Sequence, residues 1–160
     1  MKPDIGITEK NRDAVCGILN VVLADEYLLY TKSRKYHWNV TGVHFNDLHK
    51  FFEAQYEELD EIIDEVAERV RALGGVSAGT LTEFGKSARL EEHPGRNPDD
   101  RGMLADLLTD HEALIRTLRA DIVKTGDKYK DAGTNDFLTG LMEQHEKMAW
   151  MLRAFLAGKS

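Results

Sequence analysis

From Val15 onward, apolar residues fall at Ile18, Leu19, Val22, Leu23, Tyr27 and Tyr30. This three-and-four spacing puts one apolar stripe on a helix running from about Asn11 to Tyr36. Asn39, Thr41 and Gly42 break the pattern. A second helix then begins near Asn46 with Leu48, Phe52, Leu59, Ile63, Val66, Val70 and Leu73, and Gly74 and Gly75 close it. Residues 76 to 98 leave room for one short helix around Leu81 to Ser87, and His93-Pro94-Gly95-Arg96-Asn97-Pro98 reads as loop. Pro98 followed by Asp99 and Asp100 suits a helix start, where a missing amide costs nothing and acids meet the positive dipole end. A third long helix carries Leu104, Leu107, Leu108, Leu114, Ile115, Leu118 and Ile122, and Gly126 is expected to stop it. Thr134 or Asn135 is expected to cap a fourth, with Leu138, Leu141, Met142, Met148, Leu152 and Phe155, that runs nearly to Gly158. Short links within each pair of long helices and a long link between the pairs predict an all-α four-helix bundle with one crossover.

At 160 residues the chain is expected to form one domain over 1–160, with a short tail at 1–10 and another at 159–160. Hydrophobic residues make up 42% and charged residues 31%, which excludes a disordered chain. The net charge of -7 is the wrong sign for generic phosphate binding and the right sign for collecting cations. No stretch approaches the ~18 consecutive apolar residues of a membrane span, so no membrane partner and a cytoplasmic location are expected. Cys16 is the single cysteine, which excludes an internal disulfide and a thiolate metal cage. A metal here must therefore use His and carboxylates.

No Glu-x-x-His occurs in the sequence, which argues against the di-iron centre that such pairs build inside a single bundle. The ligand-type residues concentrate on the second helix instead. His49 and Glu53 are four apart, as are Asp64 and Glu68, so each pair projects from one face on consecutive turns. The eleven residues from Glu53 to Asp64 rise about 16 Å, far beyond the reach of one ion. Two copies of the helix packed antiparallel across a twofold axis would bring the His-Glu end of one beside the Asp-Glu end of the other. His37, twelve residues before His49 across a short turn, can join the first pair. Two His and three carboxylates suit iron better than copper(I) or structural zinc. Acids at 53, 57, 61, 64 and 68 are also what a solvated helix face carries, and spacing does not separate the two readings.

The stretch from Tyr36 to Arg69 adds a further signal. It runs His37-Trp38-Asn39-Val40-Thr41-Gly42, then Phe45-Asn46-Asp47-Leu48-His49, then Asp64-Glu65-Val66-Ala67-Glu68-Arg69, continuing to Leu73-Gly74-Gly75. This pattern resembles the Dps family, the mini-ferritins named as DNA-binding proteins from starved cells. The resemblance implies a ferritin-like subunit that assembles as a hollow homo-dodecamer. It implies a ferroxidase that oxidises Fe(II) with hydrogen peroxide in preference to dioxygen, at di-iron sites on twofold interfaces. The ferric oxyhydroxide is stored in the cavity, protecting against oxidative stress. The family's ligand positions fall on His37, His49 and Glu53 of one subunit and on Asp64 and Glu68 of its partner. The family often carries Asp at position 53, and Glu53 reaches one methylene further. Trp38 matches an aromatic residue beside the iron site that takes up stray oxidising equivalents.

Glu57 and Glu61 continue the acidic stripe, and one or both are expected to face the cavity and nucleate mineral. Related shells form acidic threefold pores at the turn between the last two helices, where Asp127, Asp131 and Asp136 lie; Asp136 matches best. His111 and His145 sit on apolar stripes and are expected to be hydrogen-bonded core residues rather than ligands. Met142, Met148 and Met151 are read as core or interface filling. The alternative function, a nucleoid-binding structural protein, finds little support in the termini. Lys2, Lys10 and Arg12 are cancelled by Asp4, Glu9 and Asp13, and Lys159 stands alone at the far end. Weak or absent DNA binding is expected at physiological salt.

Overall fold

The computed structural model describes residues 2–158; the 159–160 tail lies outside them. The described residues form five α-helices: α1 (Glu9–Asn39), α2 (Phe45–Ala72), α3 (Leu81–Ser87), α4 (Asp100–Val123) and α5 (Ala132–Ala157). A π-helical turn, Lys124–Lys128, extends α4. The helices α1 and α2 form one antiparallel hairpin and α4 and α5 the other, while α3 lies in the crossover against α1. Leu19, Leu23, Phe52, Leu59, Leu107, Leu118, Leu138 and Leu152 meet in the shared core, each with essentially no exposed surface.

Local chemistry sets the ends. The Thr8 hydroxyl accepts from the Asn11 N–H and caps α1, two residues earlier than the periodicity indicates. After α1 the chain turns within Val40 to His44, with Gly42 in the left-handed region at φ 111°. Gly75, just past α2, has no space for a side chain, because a Cβ there would sit 2.6 Å from Cys16 Sγ. Burial raises the thiol pKa of Cys16 above its ordinary value. A capping box between Thr80 and Glu83 defines α3 over the predicted residues. Hydrogen bonds donated by the Gly79 backbone N–H, and by the Thr80 hydroxyl and N–H, hold the Glu83 carboxyl below its usual range.

The crossover is fastened to the bundle through one buried acid. Asp25 of α1 is fully buried and accepts from the backbone N–H groups of Arg89 and Leu90, and from Arg89 Nε at 2.7 Å. The same guanidinium reaches Asp121 of α4 at 2.7 Å, so one side chain ties both hairpins to the linker. Nearby, Lys32 pairs with Asp110 and donates to the Glu91 carbonyl.

Two expectations at the last turn are corrected. Gly126 does not stop the third long helix, because Thr125 Oγ1 donates to the Asp121 and Ile122 carbonyls and Asn135 Nδ2 also donates to Ile122. These bonds satisfy the carbonyls that a helix end leaves open, and the chain continues as a π turn. It breaks at Lys130, a non-glycine residue with φ 58°. Asp131, not Thr134 or Asn135, caps α5, accepting from the Thr134 backbone N–H at 2.9 Å and from its hydroxyl at 2.6 Å.

The α1 helix contains an 18-residue window apolar enough, by length and composition, to cross a membrane, although no run is wholly apolar. Within the bundle, 56% of that window is buried, as befits the central core helix.

Candidate metal centre

The turn between α1 and α2 brings His37 and His49 face to face. Their rings stack with centroids 3.7 Å apart and planes 21° from parallel. The His37 Nδ1 lies 2.8 Å from the His49 carbonyl, and the His49 Nδ1 lies 2.8 Å from the His37 carbonyl. A carbonyl only accepts, so each Nδ1 carries a hydrogen, and the tautomer with Nδ1 protonated is the one that leaves an Nε2 lone pair. This is the tautomer a metal-binding imidazole needs, oriented by a backbone acceptor before any ion arrives. Phe45 stacks on the outer face of His49 at 5.1 Å, and Tyr56 presents its ring edge-on to His37 at 5.3 Å. His37 is 7% exposed and His49 is half-buried.

One turn along α2, Glu53 accepts from the Tyr56 hydroxyl at 3.4 Å. Burial, with Glu53 second, raises the Tyr56 phenol pKa. Glu53 thus shares a neighbour with His37, while Asp64 and Glu68 lie exposed toward the other end of the same helix. Among the described residues, no three His, Cys, Asp or Glu side chains converge to hold a metal within one chain. The structure therefore brings together the two histidines of the sequence-derived set and keeps Asp64 and Glu68 apart from them.

Trp38 is 65% exposed, and its ring lies 5.3 Å from the Arg34 guanidinium carbon. Arg34 also stands over Tyr56 at 4.9 Å and Tyr30 at 5.5 Å, and it donates to the Tyr30 hydroxyl at 2.6 Å. The sequence reading missed this aromatic cluster. Its signal was present: Tyr30, Arg34 and Trp38 are four apart on α1, and Tyr56 follows Glu53 by three on α2.

Glu57 and Glu61 line a shallow acidic groove between α2 and α5, together with Glu58, Glu65 and Lys147. Asp136 is exposed just past the first turn of α5 and Asp127 is exposed in the π turn. Asp131 does not share their setting. It is 2% exposed, bonded to Thr134 and to Arg69, which makes it a cap and an ion-pair partner rather than a free pore carboxylate.

His111 and His145 are fully buried and joined Nδ1 to Nδ1 at 2.9 Å, while His145 Nε2 meets Glu26 Oε1 at 2.9 Å. Burial first, and then His145, holds the His111 pKa well below the ordinary histidine range. The two are hydrogen-bonded core residues, as expected. The buried Glu26 of α1 that meets His145 was not foreseen, because an acid among apolar positions reads like any helix-surface residue.

A family model described as a ferritin-like domain matches residues 16–158. A low temperature-induced protein of Nostoc sp. strain PCC 7120 is 51% identical over 156 residues, covering 98% of this chain and 87% of that one. The DNA protection during starvation protein 2 of Bacillus anthracis is 37% identical over 144 residues, covering 89% of this chain and 96% of its own. Among solved structures, DpsC from Streptomyces coelicolor superposes with TM-score 0.94 at 32% identity, covering 100% of this chain and 92% of that one. A Dps protein from Vibrio cholerae, described as a member of a broad superfamily of ferritin-like diiron-carboxylate proteins, gives 0.89 at 30% identity, with coverages of 97% and 96%. The helical hairpins, the crossover and these similarities together place the chain in the Dps family of ferritin-like proteins.

Proposed function

We propose that this protein is an iron-storage mini-ferritin of the cytoplasm that oxidises Fe(II) with hydrogen peroxide at sites shared between subunits. The observation that carries the reading is the reciprocal hydrogen bonding of His37 and His49, which in the neutral rings leaves two Nε2 lone pairs ready for a cation. In the assembled protein, His37, His49 and Glu53 of one subunit bind iron with Asp64 and Glu68 supplied by the facing subunit. Iron is the substrate here. Carboxylates stabilise Fe(III) over Fe(II), so binding eases oxidation, and two irons deliver both electrons that peroxide needs. Asp136 serves iron entry at a threefold pore, and Glu57 and Glu61 face the cavity where mineral grows. The shell is a dodecamer, in line with the family to which the chain belongs.

The relatives named for DNA protection support a protective role in general terms. With a net charge of -7 per chain, that role is carried by iron and peroxide removal rather than by strong direct DNA binding. The test is anaerobic Fe(II) titration followed by peroxide, read as ferric absorbance. About two irons consumed per peroxide supports the proposal by electron balance. A protein carrying His37→Ala with Asp64→Ala that oxidises iron at the parent rate overturns the ligand assignment.

A further inference from the structure

Away from the candidate metal centre, three side chains from three helices run in series through the core. Glu26 Oε1 of α1 meets His145 Nε2 of α5 at 2.9 Å, and His145 Nδ1 meets His111 Nδ1 of α4 at 2.9 Å. All three residues are 0% exposed. At the two ends of the series, Glu26 Oε2 and His111 Nε2 are buried with no hydrogen-bond partner. An unpaired polar atom in a core costs stability, and packing alone asks for apolar side chains at such positions. The neighbouring charges are engaged elsewhere. Asp25, beside Glu26, is bonded to Arg89, and Asp110, beside His111, is bonded to Lys32. Glu146, beside His145, pairs with Arg119. The buried face of α2 has one polar residue, Gln55, which does not titrate, and α3 buries Phe84. Besides burial, His145 is the group that acts on His111.

The series has room for a fixed number of hydrogens. Each of its two bonds holds one hydrogen between the bonded atoms. A third fits on His111 Nε2, and the two imidazoles then share one positive charge opposite the Glu26 carboxylate. A fourth has no place. It turns both Nδ1 atoms into donors facing each other across 2.9 Å, on two cations, or it becomes a carboxyl hydrogen on Glu26 Oε2 without an acceptor. The three groups therefore titrate as a unit rather than singly.

We propose that Glu26, His145 and His111 form an acid-operated lock: it holds α1 against α5 and α4 while it carries no more than three hydrogens, and uptake of one more separates the α1–α2 hairpin from the α4–α5 hairpin with the helices intact. The bond from Glu26 to His145 is the hydrogen bond that ties α1 to α5, so its neighbourhood is where the two hairpins part. Burial, and then His145, keeps protons off His111 near neutral pH. The lock stays shut there and releases as the pH falls.

The test follows backbone hydrogen exchange of the assembled protein from about pH 7.5 to about pH 4.5, a span that brackets the ordinary histidine range and approaches that of carboxylates. Exchange is read by mass spectrometry on peptides of α1, α4 and α5 and corrected for its intrinsic pH dependence, with far-UV circular dichroism in parallel. The parent is expected to open with its helical signal retained, the opening constant rising about tenfold per pH unit for each proton taken up. His111→Asn deletes one titrating group and is expected to lower that rise by about tenfold per pH unit. Glu26→Gln keeps the size and an acceptor for His145 Nε2 while deleting the charge that balances the added proton, so it is expected to open at a higher pH than the parent. An equal pH slope in His111→Asn and the parent, or a Glu26→Gln protein that opens at the parent's pH, overturns the lock. Parent exchange that does not change over this span overturns it as well, as does opening that comes only with loss of the helical signal.

Discussion

Replacing Asp25 with alanine tests how the crossover is held. Asp25 is fully buried, and its two oxygens satisfy the Arg89 and Leu90 backbone N–H groups and the Arg89 Nε. The alanine variant strands two backbone donors at about 1 kcal/mol each, the low end of the range because both are only partly buried. It also removes one arm of the Arg89 ion pair. That arm is worth about 1 to 2 kcal/mol after discounting for a guanidinium side chain that is 30% exposed and that keeps its other contact, with Asp121. The sum is about 3 to 4 kcal/mol, a fall in melting temperature on the order of 10 °C for a domain of this size. Guanidinium and thermal unfolding at fixed protein concentration measure it, with concentration held because subunit association contributes to apparent stability. Arg89→Met is expected to cost at least as much, because it leaves Asp25 and Asp121 buried together without their shared cation. A loss below 1 kcal/mol in Asp25→Ala would refute the claim that this acid fastens the linker.

Two further substitutions probe the core. The lowered His111 pKa means that the unfolded chain takes up a proton, near its ordinary value of about 6.5, that the folded core refuses. Stability contributed by this group is present above that pH and is lost as pH falls below it, at up to about 1.4 kcal/mol per pH unit. His111→Asn is expected to flatten the acid limb of a stability-versus-pH curve, and an unchanged limb would exclude His111 as its source. Gly75→Ala forces a Cβ to within 2.6 Å of Cys16 Sγ and is expected to cost about 2 kcal/mol. Adding Cys16→Ala should restore part of that in denaturant unfolding, and no restoration would place the strain elsewhere.

The helices were legible where one face is continuously apolar. The α2 stripe from Leu48 to Leu73 gave the second helix within a residue or two of its ends, and the short helix expected around Leu81 to Ser87 is α3, whose Thr80–Glu83 capping box was not read from the sequence. The end of α4 was not legible, because it depends on Asn135 reaching across the turn to the Ile122 carbonyl. Gly126 serves that approach: a Cβ there would stand 2.7 Å from Asn135 Nδ2, so the glycine makes room for a partner rather than ending a helix.

At the candidate site, residue types and spacing brought out His37, His49, Glu53, Asp64 and Glu68, and the short turn after α1 explains why the histidines meet. The reciprocal carbonyl bonds that fix their tautomers are backbone geometry and leave no trace in residue identity. Tyr27 and Tyr30 fell in the apolar stripe of α1 and read as core, yet they face an aromatic row beside Arg34. The Glu26 to His145 bond spans α1 and α5, 119 residues apart in sequence, and no local pattern reports it.

The central claim is that each iron is held by two subunits, and subunit mixing tests it most directly. A His37→Ala chain and an Asp64→Ala chain are each expected to lack fast Fe(II) oxidation. In a mixed twofold pair, one site carries both defects and the other carries neither. Random reassembly of equal amounts makes half of the pairs mixed, so about a quarter of the parent activity should return. If the mixed assemblies stay as inactive as either variant alone, the ligands belong to a single chain and the shared site is contradicted.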